Sequence, residues 1–483
     1  MRTNYRAASA TSMLLLASFV FTSWLGAADE KAPAKTDTKK PAAKKDDKHK
    51  VLALVGGDVY TVSSEVIHGG TVLVKDGKIL KVGQDIAIPE GATVVDVKGK
   101  YVTPGFVALS MAGVGLRQAG AGGQGGGGGR TPKLSDSLDP YDRKIKFCLG
   151  VGITTGCIEL GGGGGGRFGR SEDEPNDQQV CPCCGLAILP TEPIGPAVPT
   201  VPTARRHAVV KMSFGHIDGM LVSENPFHHI TGSGLAGSLN HFNWRENIRQ
   251  AQKYIKALAE HEKAIKAGEE SSPPRKTVSD DLIRLVKKEI PLRTDASSVS
   301  QIRDTLKLAK ELDYNVLLEN PYEAWLIPEE LAEAKASVVF TPRLRRRANP
   351  GKEDSSGSSI ELAGYLEKTG VPFAVVTQKN NVSMDGVDGG RDLTGFGLEA
   401  AFAVRGGCSE KTALASITLT PAKLLGLDSR IGSIDAGKDA DLLVLNGPPL
   451  DYRTYVETAY VGGKVAYERN TDRVYPTFER SKN

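Results

Sequence analysis

The stretch YVTPGFVALSMAGVG, residues 101–115, decides the fold because it joins two regions of different periodicity. Upstream of it, residues 49–85 alternate β-branched residues with turn signals, and Asp76-Gly77 predicts the tip of a hairpin. Downstream of it, short apolar strands alternate with amphipathic helices. The stretch therefore marks the passage from a small antiparallel β unit into a larger α/β region.

Both chain ends have β character, since segments such as VETAYVGGKVAYER follow Ile431. Neither end has enough strands to bury a face alone, so we predict one composite, β-sandwich-like domain from residues 51–102 and 431–470. The middle, residues 103–430, contains about eight strand–helix units, which predict an α/β fold with a closed (β/α)8 TIM-like barrel. Ser409 stands where the N-cap of one of its helices belongs.

The N-terminus has the pattern of a targeting segment. Arg2 and Arg6 precede an apolar run, and small residues follow it, so residues 1–28 predict a secretory signal peptide, with an uncleaved anchor as the alternative. Residues 29–50 are Lys, Ala, Pro and Asp and predict a disordered tether, and residues 471–483 form a tail. We expect a periplasmic or extracellular protein without a transmembrane span.

The net charge of +4 comes from this leader, because residues 1–50 carry ten basic and five acidic side chains. The rest of the chain is nearly neutral, and its charge does not suggest binding to nucleic acid.

Three inserts interrupt the barrel pattern after its strands. Residues 117–130 and 161–170 are Gly-rich, and residues 181–206 are rich in Cys and Pro. Cys181, Cys183 and Cys184 form a CPCC sequence without the second pair that a structural zinc site needs. A disulfide, free thiols and a metal or redox role all stay open there. The remaining cysteines are expected to be small buried residues, and they are Cys148, Cys157 and Cys408.

Two blocks carry a resemblance to a known family. They are DGKILKVGQDI…GATVVDVKGKYVTPGFV near the N-terminus and SITLTPAKLLGLDSRIGSIDAGKDADLLVLNGPPL near the C-terminus. Together with VGITTG and IPLRTDASSVSQIRDTLKLAKEL, they resemble the amidohydrolase superfamily, in particular its exported imidazolonepropionase-like group. The resemblance implies a metal-dependent hydrolase barrel, with zinc or another divalent metal, that hydrolyses non-peptide C–N bonds.

The same resemblance assigns the metal-ligand and proton-handling positions of the family to residues that are mostly unsuited to them. Asp295 alone is a plausible ligand, and the bridging group of the fourth strand has no assignable residue. The six family positions are held by Ala108, Ser110, Ala112, Asp295, Asn320 and Gln378. We therefore expect no cofactor and no metal in the barrel.

Other candidates have weaker patterns. His216 and Asp218 are two residues apart and are also compatible with an exposed turn, while adjacent His228 and His229 would point apart on a strand. The metal candidates that remain are His216, Asp295 and the three CPCC cysteines. RLRRRANPGK, residues 343–352, would follow the seventh barrel strand and could meet an anionic ligand or lie exposed.

Three functions remain open from the sequence. The first is an exported pseudoenzyme that acts as a binding or scaffold protein and meets a small molecule or a protein at the barrel mouth. The second is an active amidohydrolase with relocated ligands. The third is a thiol- or metal-handling protein centred on the CPCC loop.

Overall fold

The fold was analysed in a computed structural model, which describes residues 51–116, 134–160, 205–230, 235, 238–352, 355–383 and 391–474. The predicted signal peptide, the tether, the Gly-rich inserts and CPCC lie outside these residues, as does the tail from residue 475. The strands, in chain order, are β1 (Leu52–Val59), β2 (Ile67–Lys75), β3 (Lys78–Gly83), β4 (Thr93–Asp96), β5 (Tyr101–Pro104), β6 (Phe106–Met111), β7 (Ile153–Leu160), β8 (Arg206–Lys211), β9 (Leu221–Glu224), β10 (His228–Ile230), β11 (Leu292–Asp295), β12 (Val316–Glu319), β13 (Ser337–Phe340), β14 (Phe373–Val375), β15 (Leu442–Leu445), β16 (Val456–Val461) and β17 (Lys464–Glu468).

The helices lie mostly between the barrel strands. They are α1 (Arg143–Gly150), α2 (Ser238–Lys266), α3 (Asp280–Val286), α4 (Val299–Leu312), α5 (Pro328–Glu333), α6 (Leu362–Thr369), α7 (Phe396–Arg405), α8 (Glu410–Ala415), α9 (Leu419–Leu424) and α10 (Arg469–Asp472). Ser409 caps α8 by accepting a hydrogen bond from the Thr412 backbone N–H, as its position in the sequence predicts.

Strands from both chain ends form one sheet, in the order β17-β16-β15-β5-β1-β2-β3, with β4 parallel to β1. The junction is the antiparallel pairing of β15 with β5. The predicted hairpin at Asp76-Gly77 joins β2 to β3, and both turn residues have positive φ. The composite β domain predicted from the two ends is therefore present in the fold.

Eight strands close into a barrel beside this sheet. Strands β10 to β14 are parallel neighbours, and β6, β7 and β8 are neighbours in a second sheet. The two sheets are joined where the Arg205 N–H donates to the His229 carbonyl at 3.0 Å, and where the Ala112 N–H donates to the Asn380 carbonyl at 2.7 Å. The barrel prediction is confirmed in this form.

The third barrel strand differs from the all-parallel expectation. β8 pairs antiparallel with β7, with Thr155 opposite Lys211, and β9 continues from it as a second antiparallel strand. A parallel neighbour needs a crossover that returns the chain to the same end of the sheet, usually through a helix. The sequence between β7 and β8 is rich in Gly and Pro and has no helical periodicity.

The Pro-Gly pair in the opening stretch separates the β domain from the barrel. β5 belongs to the composite sheet and β6 to the barrel, and Gly105 lies between them. A Cβ on Gly105 would lie 1.9 Å from the Thr154 hydroxyl oxygen, so only glycine fits between β6 and β7 at this point.

The two parts are also tied by charge. Lys211, at the end of β8, is buried and forms ion pairs with Asp439 at 2.7 Å and Asp441 at 2.9 Å. Both carboxylates lie in the segment that leads into β15. Within the described residues, no helix is both long enough and apolar enough to cross a membrane.

Candidate functional site

The interior of the barrel is lined by alternate residues of its strands. One cluster of buried side chains contains residues at alternate positions of the barrel strands. Since successive side chains point to opposite faces of a strand, the members of this cluster all point into the lumen. The cluster contains Phe227, just before β10, and seven strand residues, namely Val107, Leu109, Cys157, Val209, Leu317, Val339 and Ala374. Helix α9 packs on this cluster through Ala422. The lower lumen is thus an ordinary apolar core.

Toward the barrel mouth, four side chains on the same lumen face are polar. They are His207 on β8, His229 on β10, Arg293 on β11 and Glu319 on β12. His207 and Glu319 lie two residues from Val209 and Leu317 on their own strands, while His229 and Arg293 lie beside Phe227. These four side chains form the lumen network. All are buried except Glu319, which is 17% exposed.

An ion pair stands at the centre of the lumen network. Arg293 Nε donates to Glu319 Oε2 at 2.9 Å, and Nη2 donates to Oε1 at 3.0 Å. The third nitrogen, Nη1, donates to the Leu109 carbonyl at 3.3 Å, and the guanidinium lies 4.9 Å from the Phe227 ring centre. One side chain therefore ties β11 to β12 and to β6 in a bidentate geometry.

The two histidines complete the network. His207 Nε2 lies 2.8 Å from His229 Nδ1, and His229 Nε2 lies 3.3 Å from Glu319 Oε2. If His229 carries its proton on Nε2, His207 Nε2–H donates to His229, and His229 faces the carboxylate with its N–H. Each N–H in this chain of contacts then points toward the negatively charged Glu319.

Burial and charge set the protonation of this network. Burial would raise the pKa of Glu319, but the Arg293 charge and the hydrogen bonds from His229 and Arg293 outweigh it and hold the pKa well below 4.5. Burial, the Arg293 charge and the neighbouring His229 lower the pKa of His207 to about 2. At neutral pH the network therefore consists of one cation, one anion and two neutral imidazoles.

His228 faces away from the lumen, as the alternation predicts for adjacent histidines. Its ring lies 5.6 Å from the Trp244 ring, and burial lowers its pKa to about 4. His216 and Asp218 are exposed in a turn in which Gly219 has φ of 74°.

The six family positions are not brought together as one donor set. Ala108 packs with the apolar side chains outside the lumen. Ser110 accepts a hydrogen bond from Asn380 at 3.3 Å, the Ala112 N–H bonds the backbone of that residue, and Gln378 is exposed. Asp295 ends β11 at the barrel mouth, two residues beyond Arg293.

Asn320 follows β12 with φ of 47°, and its side-chain oxygen is buried. Among the described residues that oxygen has no hydrogen-bond partner. Tyr322 follows two residues later, and burial raises the pKa of its phenol. The Arg346 charge lowers that pKa, and the charges of Asp295 and Glu319 raise it. These three charges therefore act on the Tyr322 phenol beyond the end of β12.

Sequence reasoning did not find the lumen network as a unit. The family resemblance leaves the fourth strand without an assignable residue, and no sequence motif marks His207 or Glu319. The sequence pattern that marks such a residue is a charged or imidazole side chain two positions from an apolar residue in a short strand, as in Leu317-Leu318-Glu319. Residues two apart on a strand share a face, so both side chains point into the lumen.

Comparison with known proteins agrees with this architecture. The model of the amidohydrolase family matches residues 245–474. The crystal structure of an amidohydrolase from Thermotoga maritima MSB8 superposes with a TM-score of 0.61 at 26% sequence identity, covering 86% of this chain and all of that chain. Residues 245–474 thus match the amidohydrolase family, and the fold of the chain is that of the amidohydrolase superfamily.

The curated relatives match over less of their own length. Amidohydrolase tasK of Hapsidospora irregularis is 22% identical over 438 residues, which are 83% of this chain and 40% of that protein. N-acetylglucosamine-6-phosphate deacetylase of Bos taurus is 40% identical over 62 residues, which are 13% of this chain and 14% of the deacetylase. This chain thus spans well under half of the length of either relative.

Members of this superfamily hold a divalent metal with imidazole and carboxylate ligands, and the lumen network does not fit such an ion. Both oxygens of Glu319 accept hydrogen bonds from Arg293, and the facing nitrogens of His207 and His229 bond each other. A divalent cation on these ligands would also lie beside a buried guanidinium. Among the described residues, no group of three His, Cys, Asp or Glu side chains is placed to hold a metal.

Proposed function

We propose that this chain is an exported amidohydrolase-fold protein of the imidazolonepropionase-like group that binds its ligand without hydrolysing it. The observation that carries the proposal is the Arg293–Glu319 ion pair, which fills the upper lumen where metal-dependent members of the family need an activated water. The lumen network engages both Glu319 oxygens and the facing imidazole nitrogens in hydrogen bonds, so these atoms are not presented to a metal that would polarise a substrate carbonyl oxygen. Within the lumen network Glu319 is a weak proton acceptor, since the Arg293 charge holds its pKa well below 4.5.

The barrel mouth supports the binding part of the proposal. Asp295 ends β11, the Asn320 amide oxygen is buried just beyond β12 without a partner among the described residues, and the charges of Arg346 and Asp295 both act on the Tyr322 phenol. Such mixed polar groups above a closed apolar lumen suit a small polar molecule or a polar loop of a protein partner.

The test of the inactive barrel is an assay of metal-dependent hydrolysis. The full chain would be incubated with a dipeptide, an N-acyl amino acid and a cyclic imide, with Zn²⁺ or Mn²⁺ added. The expected rates equal those of the Asp295→Ala variant and do not change with a chelator. Asp304→Ala serves as the control, because Asp304 is an exposed carboxylate on α4.

An opposite result would support an active enzyme with relocated ligands. That result is a chelator-sensitive rate that survives in Asp304→Ala and disappears in Asp295→Ala. It would overturn the non-catalytic proposal, because Asp295 would then hold the metal or handle the proton.

Export is the second part of the proposal. It is supported by Arg2, Arg6, the apolar run and the small residues 26–28, which together suit recognition and cleavage of a signal peptide. The expected mature N-terminus lies near Ala28 or Asp29 and is measured by N-terminal sequencing of the protein from the native cell envelope. Intact chain that begins at Met1 in the cytosol would contradict it.

A further inference from the structure

A cavity of about 660 Å³ lies outside the barrel lumen, between the β domain and helices α7 and α8. Its apolar wall comes from both helices, through Leu398 and Ala401 on α7 and Leu414 on α8, and from Pro449 on the opposite side. Its size falls in the range of about 300–1,000 Å³ that small-molecule sites occupy. The cavity is therefore large enough to enclose the apolar body of a small ligand.

The loop that closes one side of this cavity is strained. Val62 has φ of 69° and is 8% exposed, a left-handed conformation that is a genuine outlier for a β-branched residue. Two hydrogen bonds between Thr61 and Ser64 hold the loop. The Thr61 hydroxyl oxygen accepts from the Ser64 N–H at 3.1 Å, and the two hydroxyl oxygens lie 2.9 Å apart. Strain of this kind persists where the surroundings impose it, and it is concentrated at binding sites.

The rim of the cavity is aromatic and acidic. Tyr60 and Tyr452 lie on it, and three carboxylates but only one ammonium group line the cavity. Glu65 pairs with Lys411 at 2.8 Å, and Asp451 pairs with Arg453 outside the lining. Glu410, the first residue of α8, has no ion-pair partner among the residues that the structure describes, so one carboxylate at the rim is not paired with a cationic side chain.

The same charge acts on the neighbouring phenol. The pKa of Tyr60 is raised, first by burial and then by the charges of Tyr101, Glu410 and Asp58. Burial disfavours a charge of either sign, but the Glu410 and Asp58 carboxylates, which also raise this pKa, would attract a cation. Aromatic faces beside a carboxylate are a common arrangement for binding organic cations.

We propose that this cavity binds a small molecule that combines an apolar body with a single cationic group, such as a primary alkyl or arylalkyl amine. The apolar body lies against α7 and α8. The cationic group lies at the rim lined by the Glu410 carboxylate and the side chains of Tyr60 and Tyr452, where the Arg453 guanidinium already lies 5.9 Å from the Tyr452 ring centre. The site is independent of the lumen network and of the barrel mouth.

The test uses three probes with one apolar body, namely 4-phenylbutylamine, 4-phenylbutanol and 4-phenylbutyrate, titrated calorimetrically into the full chain at pH 7. The expected order of affinity is amine, alcohol, acid, with about a tenfold difference between amine and acid from the rim charge. Glu410→Gln should remove most of that difference. Glu333→Gln, an exposed carboxylate on α5, is the control and should leave it unchanged.

Two further variants locate the probe. Ala401→Phe fills the cavity and should weaken all three probes, while Tyr452→Ala should weaken the amine most. Tyr452 is 84% exposed, so its loss does not threaten the fold, and Tyr141→Ala, a tyrosine that is 67% exposed elsewhere, is the control. Equal affinity for amine and acid, binding that neither cavity variant changes, or no binding of the amine at about 10 mM would each overturn the proposal.

Discussion

Removing one partner of the Arg293–Glu319 ion pair should destabilise the protein far more than removing both. In Glu319→Gln the guanidinium, which is 1% exposed, stays buried without its counter-charge. Breaking a buried pair in this way costs about 3–5 kcal/mol. In Arg293→Met the carboxyl can instead take up a proton, which at pH 7 costs about 3 kcal/mol for a group whose ordinary pKa is 4.5.

The double variant Arg293→Met/Glu319→Leu removes both charges and leaves apolar side chains of similar volume. Replacing a buried pair by packed apolar residues is often neutral or stabilising, so we expect it within about 1 kcal/mol of the native protein. The coupling between the two sites should therefore be about 3 kcal/mol or more. Urea denaturation of the four proteins, with the slopes compared, measures it.

The matched control is the exposed pair Arg303–Glu330, which joins α4 to α5 at 2.6 Å with both side chains about half exposed. Its coupling in the same double-mutant cycle should be about 0–1 kcal/mol. Additive losses at Arg293 and Glu319, or single losses no larger than those of the control pair, would refute the reasoning that the lumen is held by this charge pair.

Other outcomes follow from burial and close packing. Burial lowers the pKa of His207 to about 2 and of His228 to about 4, so below pH 6.5 the unfolded chain binds protons that the folded protein does not. The free energy of unfolding should therefore fall below pH 6.5 by about 1.4 kcal/mol per pH unit for each histidine. In His207→Asn the urea midpoint should fall less between pH 7 and 5 than in the native protein, and an equal fall contradicts the prediction. Gly406→Ala should destabilise, since its Cβ would lie 2.1 Å from the Ile360 carbonyl oxygen, while Gly397→Ala within α7 is open and should gain about 0.5–1 kcal/mol in thermal unfolding. Burial raises the pKa of Cys157 to about 12, so iodoacetamide at pH 8 should label it only after unfolding, as read by mass spectrometry.

The elements that sequence predicts best are those with local signals. Helix α4 (Val299–Leu312) has both an amphipathic pattern and a capping box of Ser298 and Gln301 that marks its start. Strand β13 (Ser337–Phe340) is a short run of mostly β-branched and aromatic residues. The pairing of the two chain ends is also predictable, since neither end can bury a sheet face without the other.

The lumen network is less predictable because it depends on tertiary contacts. β10 is three residues long and follows a segment without periodicity, so its place as a barrel strand depends on pairing with β11 rather than on its own sequence. The direction of β8 also depends on the connection before it. Without these strands His207 and His229 cannot be placed beside Glu319, and Arg293 has no assigned partner.

Elemental analysis of the purified chain tests the central claim most directly. The protein would be purified without chelators or a metal-affinity tag, beside a Cys181→Ser/Cys183→Ser/Cys184→Ser variant that removes the CPCC thiols. We predict no stoichiometric metal in that variant, because the lumen carboxylate is held by Arg293 and the histidines by each other. One equivalent of zinc or another divalent metal that survives in the variant and is lost on Asp295→Ala would contradict the account.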